Sequence, residues 1–177
     1  KPEAPSRTVT VTGTPRSVGM STASCSSSDS IAPFSTVTIP VSAGSGTSDA
    51  AHSVHLTKEA TALGAAGVLA VCPYYNRPSQ AGIEAHLRAM AECTPLPQMI
   101  YDIPVRTGRK ISTTTLLRLF REVPTIVALK DAAGNPGETA VLIANAPESV
   151  EVYSGDDGMT LPLLASGIVG AVGVATH

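Results

Sequence analysis

The chain has 177 residues, 43% of them hydrophobic and none of them Trp, which is enough apolar side chain for one folded domain with a core. Its net charge of −2, with Lys and Arg scattered among Asp and Glu, leaves no basic footprint for nucleic acid or an anionic membrane surface. No apolar run reaches the roughly 18–20 residues of a membrane span, and no secretory-type apolar stretch opens the chain. These features point to a cytoplasmic protein with a small-molecule partner. Cys25, Cys72 and Cys93 are odd in number and have no C-x-x-C spacing, so neither a metal site nor a disulfide framework is expected. Cys72 reads as a small buried hydrophobe.

In chain order, residues 1–36 are rich in Ser, Thr and Pro and poor in apolar side chains. This atypical segment is expected to form little regular structure, with 8–11 as its one candidate strand. Residues 37–177 have a different character. Runs at 37–43, 67–72, 98–101, 125–130, 150–154 and 168–175 are short, β-branched and nearly all apolar, as strands buried on both faces are.

Helical periods lie between the runs. Residues 50–63 carry Val54, Ala60 and Leu63, with Asp49 as N-cap and Gly64 as stop. Residues 79–91 place Ile83, Leu87 and Met90 on one face and the i, i+4 pair Glu84 and Arg88 outside. Residues 113–121 carry Leu116, Leu117 and Phe120 behind a capping Ser112, and 137–146 and 159–165 complete the set. His52, His55 and His86 fall in these patterns as surface residues. A strand returning every 20 to 30 or so residues is the rhythm of an α/β barrel or doubly wound sheet. Six strands are fewer than the eight of a complete barrel, which typically takes about 250 residues.

Polar and reactive residues gather where the apolar strands end: Tyr74 and Tyr75, Tyr101 and Asp102, Lys130 and Asp131, Gly155 to Asp157, and His177. In parallel α/β folds these ends form the active rim. A Lys closing an apolar strand is partly desolvated, which favours its neutral, nucleophilic form. The ordinary alternative is a rim Lys that reaches water along its methylene stem. Tyr101 ends the preceding strand and can exchange protons with such an amine, or serve only as an amphipathic rim residue. Arg106 on the next loop can grip a carboxylate or lie solvated. Asp156 and Asp157 lack a third ligand group and suit turn or capping roles.

Four motifs resemble the dihydrodipicolinate synthase family in order and spacing: Pro73-Tyr74-Tyr75-Asn76-Arg77-Pro78-Ser79-Gln80, Tyr101-Asp102-Ile103-Pro104-Val105-Arg106-Thr107-Gly108, Val127-Ala128-Leu129-Lys130-Asp131-Ala132 and Ser154-Gly155-Asp156-Asp157. The resemblance covers residues 37–177 and implies a (β/α)8 TIM barrel, here incomplete, with strands 3 to 8 recognisable. It implies a lyase that condenses pyruvate with L-aspartate 4-semialdehyde in diaminopimelate and lysine biosynthesis. In that reading Lys130 forms the Schiff base and Tyr101 shuttles protons. Tyr75 crosses a tight dimer beside Tyr74, Arg106 meets the semialdehyde carboxylate, and Gly155 and Val172 line the pyruvate pocket. No metal or cofactor is implied, since the imine is the electron sink. The family assembles as a dimer of dimers. Its Gly-x-x-Gly-Glu motif after the second strand, usually with two Thr, which binds the pyruvate carboxylate and completes the proton relay, has only a faint echo in Thr12-Gly13-Thr14-Pro15. Two further readings are a related pyruvate aldolase with another acceptor and a non-catalytic barrel fragment.

Overall fold

Apolar strands that must be covered alternate with amphipathic helices able to cover them, and the computed structural model, which describes residues 40–173, follows that alternation. The order is β1 (Ser42–Gly44), α1 (Ala50–Ala62), β2 (Gly67–Val71), α2 (Gln80–Glu92), β3 (Gln98–Asp102), α3 (Pro104–Thr107), α4 (Thr113–Glu122), β4 (Ile126–Asp131), α5 (Pro136–Asn145), β5 (Glu151–Ser154), a 3-10 turn (Asp157–Met159), α6 (Thr160–Ala165) and β6 (Gly170–Ala171). All neighbouring strands are parallel, and the sheet order is β1-β2-β3-β4-β5-β6. Adding each strand beside the last through right-handed crossovers keeps the helices on one face and curls the sheet. The product is an incomplete (β/α)8 barrel. Residues 1–36, including the candidate strand 8–11, Cys25 and the echo at Thr12 to Pro15, lie outside the described residues, as does His177.

The core fills the space between sheet and helices. Val68 and Ala70 of β2, Ile100 of β3 and Leu129 of β4 meet Ile83, Leu87 and Met90 of α2 and Leu116 and Leu119 of α4, each at most 2% exposed. Burying each large aliphatic side chain contributes roughly 1.5–3 kcal/mol. Caps stand where the sequence put them: Asp49 accepts from His52 N at 2.7 Å, and Ser112 from Thr115 N at 3.2 Å. The pair Glu84 and Arg88 forms at 2.8 Å, and Arg118 joins Glu84 at 2.9 Å, tying α2 to α4.

Several expectations are corrected. The first strand is confined to Ser42–Gly44; of the expected run 37–43, residues 37–39 are not described, and Pro40 has no N–H to donate to a ladder. The last strand is only Gly170–Ala171, with 174–175 not described. Helix α1 buries Ser53 and Thr57, not an apolar face, and Leu63 is 77% exposed. Its polar face is satisfied internally: Thr57 bonds Ser45 Oγ at 2.8 Å and donates to Ser53 O at 2.8 Å. His86 is buried at 4% exposure, not on the surface, because it follows Ile83 by three positions on the inner side of α2. Helix α3 was not anticipated; Pro104 starts it, and Gly108, at φ 70, ends it by donating to Pro104 O at 2.8 Å. Among the described residues no helix is long and apolar enough to cross a membrane.

Candidate active site

Strand alternation decides which side chains leave the core. On β2, β3, β4 and β5 the buried set includes Ala70, Ile100, Leu129 and Val152, facing the helices. The opposite set, Val71, Tyr101, Lys130 and Tyr153, faces the concave side. Parallel pairing places Val71 beside Tyr101, Tyr101 beside Lys130, and Lys130 beside Tyr153. Lys130 therefore points inward near the C-terminal rim, with its Nζ 4.1 Å from the centroid of the Tyr101 ring.

The electrostatics of this pair follow from partial burial. Desolvation lowers the Lys130 pKa below the ordinary ammonium value, and Asp157 opposes that shift. Burial raises the Tyr101 phenol, Arg106 offsets part of the rise, and Asp156 adds to it. Each shift moves its group toward the neutral form. An amine whose neutral form desolvation favours, close to a phenol, is suited to carbonyl addition with proton exchange.

An open cavity of ≈ 400 Å³ lies along this face, lined by Gly44, Leu69, Val71, Tyr74, Tyr101 and Arg106 among others. Lys130 is not in its wall but stands beside it, across Tyr101. Arg106 is carried into the wall by α3. Tyr75 also lines the cavity but is 87% exposed, stacked edge-on against Tyr74 at 5.6 Å between ring centroids. Its backbone is left-handed at φ 69, and so is that of Arg77 at φ 44, conformations that cost roughly 1–3 kcal/mol each in non-glycine residues.

Gly155 lies directly against the reactive side chain: a Cβ there would stand 2.8 Å from Lys130 Cγ and 2.9 Å from its Cε. Val172 is more remote; its N–H donates to Ser154 O at 2.8 Å, extending the β5–β6 ladder beyond Ala171. Asp156 caps the 3-10 turn by accepting from Gly158 N at 2.9 Å, the capping role expected for it. The structure thus gathers Lys130, Tyr101, Gly155 and Arg106, with Tyr75 at the outer edge and Val172 two strands from Lys130.

Sequence reasoning missed what lies behind this face. Asp102 and Asp131 pair across β3 and β4 on the helix side, at 1% and 5% exposure. Ile111 N donates to Asp102 Oδ1 at 3.2 Å and Lys110 Nζ stands 3.4 Å from Oδ2. Ala133 N at 2.8 Å and Thr139 Oγ1 at 2.5 Å donate to Asp131. The available signal was the period of two: a residue next to an inward-facing one faces the helices. Among the described residues, no group of three His, Cys, Asp or Glu side chains is placed to share a metal ion.

A family model described as the dihydrodipicolinate synthetase family matches residues 30–177. The 4-hydroxy-tetrahydrodipicolinate synthase of Desulforamulus reducens is 50% identical over 137 residues, covering 77% of this chain and 46% of that protein. A dihydrodipicolinate synthase structure from Bacillus anthracis superposes with a TM-score of 0.76 at 47% identity, covering 78% of this chain and 47% of that one. The chloride-inhibited enzyme of Acinetobacter baumannii complexed with pyruvate gives a TM-score of 0.74 at 40% identity, covering 78% of this chain and 47% of that one. The chain spans about half the length of the relatives it matches. With a family match over most of its residues and a barrel arc that superposes on solved members, this chain belongs to the dihydrodipicolinate synthetase family.

Proposed function

We propose that this chain carries the Schiff-base half of a dihydrodipicolinate synthase site, in which Lys130 forms an imine with pyruvate. The observation that carries the reading is the placing of Lys130 and Tyr101 on one inward face of adjacent strands, 4.1 Å from amine to ring centroid. A relative of this fold binds pyruvate, as the Acinetobacter baumannii complex is described.

The chemistry proceeds from the neutral fraction of the Lys130 amine, which desolvation enlarges. The amine adds to the pyruvate carbonyl, Tyr101 passes a proton to the departing hydroxyl, and water leaves as the imine forms. Loss of a methyl proton gives the enamine, whose carbon attacks the aldehyde of L-aspartate 4-semialdehyde. Arg106, at the cavity wall, takes the carboxylate of that acceptor through its planar fork. Gly155 leaves room for the Lys130 stem, and Val172 completes the pyruvate pocket from the next strand. Tyr75, exposed and stacked on Tyr74, supplies its phenol across a tight dimer within a dimer of dimers. The aldehyde oxygen takes up a proton as the new carbon–carbon bond forms, and the acceptor's own amine then displaces Lys130 from the imine, closing the ring and freeing the lysine. The product feeds diaminopimelate and lysine synthesis, in the cytoplasm, with no metal or cofactor taking part.

Reduction with borohydride in the presence of pyruvate tests this reading, with the adduct located by digestion and mass spectrometry. Labelling concentrates on Lys130 over Lys58 and Lys110. It is weaker than in the complete Bacillus anthracis relative, because this sequence lacks the Thr pair that holds the pyruvate carboxylate in the family. Labelling spread evenly over the three lysines sinks the proposal. Labelling of the relative alone assigns this chain to a non-catalytic barrel segment.

A further inference from the structure

The loop between β3 and α4 carries Arg106 and returns on itself. Its first residue after Tyr101, Asp102, is bonded to the two residues that end the loop: Ile111 N donates to Asp102 Oδ1 at 3.2 Å, and Lys110 Nζ stands 3.4 Å from Oδ2. Residues 103–109, with α3 and Arg106 among them, are closed at the base by these contacts. Lys110 reaches further. Its ammonium is 3.1 Å from Glu138 Oε2 on α5, the helix that follows β4, and donates to Ile111 O at 3.3 Å. Asp131, the residue after Lys130, is bound to the same helix through Thr139 Oγ1 at 2.5 Å.

Consequently one ammonium joins the end of β3 to α5, the helix that holds the end of β4 through Thr139 and Asp131, on the face away from the cavity. The loop is held on its other side by Arg77, whose side chain packs across Gly108: a Cβ there would stand 2.8 Å from Arg77 Nε. Arg109 also reaches Arg77 O at 3.4 Å. Those exposed contacts are weak beside a carboxylate at 1% exposure, which has no water to replace a lost partner.

We propose that Asp102 and Lys110 are positioning residues for the site: their ion pair closes the base of the Arg106 loop and fixes the ends of β3 and β4, so that Tyr101 stays against Lys130 and Arg106 stays in the cavity wall. The inference deepens the Schiff-base reading and rests on it for its catalytic consequence. The groups facing Asp102 are Lys110 on its own loop, Asp131 of β4, Cys72 just beyond β2, and, through Lys110, Glu138 of α5. Cys72 is uncharged at neutral pH, so among the described residues Lys110 is the cation that opposes two buried carboxylates. Protonating Asp102 removes the need for that cation.

The test compares the wild-type chain with Lys110→Met, Lys110→Arg and the charge-balanced double variant Lys110→Met/Asp102→Asn. Two readouts are taken: the rate of pyruvate and borohydride labelling at Lys130 as a function of pH, and amide hydrogen exchange in residues 103–109. Lys110→Met, which loses the charge that pulls the Asp102 carboxyl down, is expected to label at least tenfold more slowly above neutral pH, its ratio to wild type recovering as the pH falls and Asp102 protonates. Its 103–109 amides exchange at least tenfold faster while those of β5 are unchanged. Lys110→Arg, and in larger part the double variant, restore labelling; if Lys110→Met does not fold, these two decide the case. Wild-type labelling rate and pH profile in Lys110→Met overturn the proposal, as does Lys110→Arg as impaired as Lys110→Met. If wild type itself fails to label Lys130 selectively, the Schiff-base reading falls, and the exchange of 103–109 still decides whether the pair closes the loop.

Discussion

Gly155 and Lys130 are in direct contact across β5 and β4, so close that a methyl group on Gly155 would stand 2.8 Å from Lys130 Cγ. The lysine stem must yield to it, and Ala132, whose Cβ would stand 3.2 Å away, must give slightly as well. Gly155→Ala is therefore expected to keep the fold, at a cost of about 1–3 kcal/mol for overpacking, while turning the amine away from Tyr101. Labelling of Lys130 by pyruvate and borohydride falls at least tenfold in this variant. An unchanged rate would mean that the amine position is not set by Gly155.

Tyr101→Phe separates the ring from the hydroxyl. The ring contact with the Lys130 ammonium, at 4.1 Å, survives, since Phe presents the same face. Proton transfer does not, and a loss of about 10²–10⁴-fold in the rate of imine formation is expected. Near-normal labelling would show that water or another group relays the proton.

Asp102 makes stability depend on pH. Burial first, with Asp131 adding, pushes its carboxyl up to about 6, although Lys110 and the Ile111 amide pull the other way. A folded-state pKa above the unfolded value of 3.8 means that the folded chain binds the extra proton between the two. The stability this group contributes is present below about pH 4 and is lost as the pH rises through about 6. The difference at neutral pH is about 3 kcal/mol. Urea denaturation of wild type and Asp102→Asn at about pH 4 and about pH 7 should show a gap that shifts by that order in favour of the variant at the higher pH. Parallel curves would refute the burial argument.

His86 acts in the opposite direction. It is 4% exposed, and although it lies near the backbone of Val71, neither ring nitrogen makes a hydrogen bond of acceptable geometry. Burial lowers its pKa, so the folded chain binds fewer protons than the unfolded one. The contribution is full above about 6.5 and is lost as the pH falls through the folded value. His86→Leu, apolar and of similar size, is expected to be neutral or stabilising at pH 7 and to melt higher than wild type at about pH 5. A variant that melts lower at both pH values would point to a partner for the imidazole.

The sequence by itself determined the alternation of strand and helix, the caps at Asp49 and Ser112, the apolar stripe of Ile83, Leu87 and Met90, and the place of Lys130 at a strand end. These features are local: they depend on the period of apolar residues and on side chains reaching three or four positions along the chain. The four motifs added the family, because spacing among loop residues survives even where the chain spans half of its relatives. Tertiary structure alone decided the rest. That α1 buries Ser53 and Thr57 depends on Ser45, twelve positions from Thr57, supplying a bond that no helical period reveals. Whether Lys130 meets Tyr101 depended on strand register, and a shift of one residue would have turned one of them into the core. The same register put Asp102 beside Asp131 under the helices, where a lysine eight residues away, at the far end of a folded-back loop, became the cation between them.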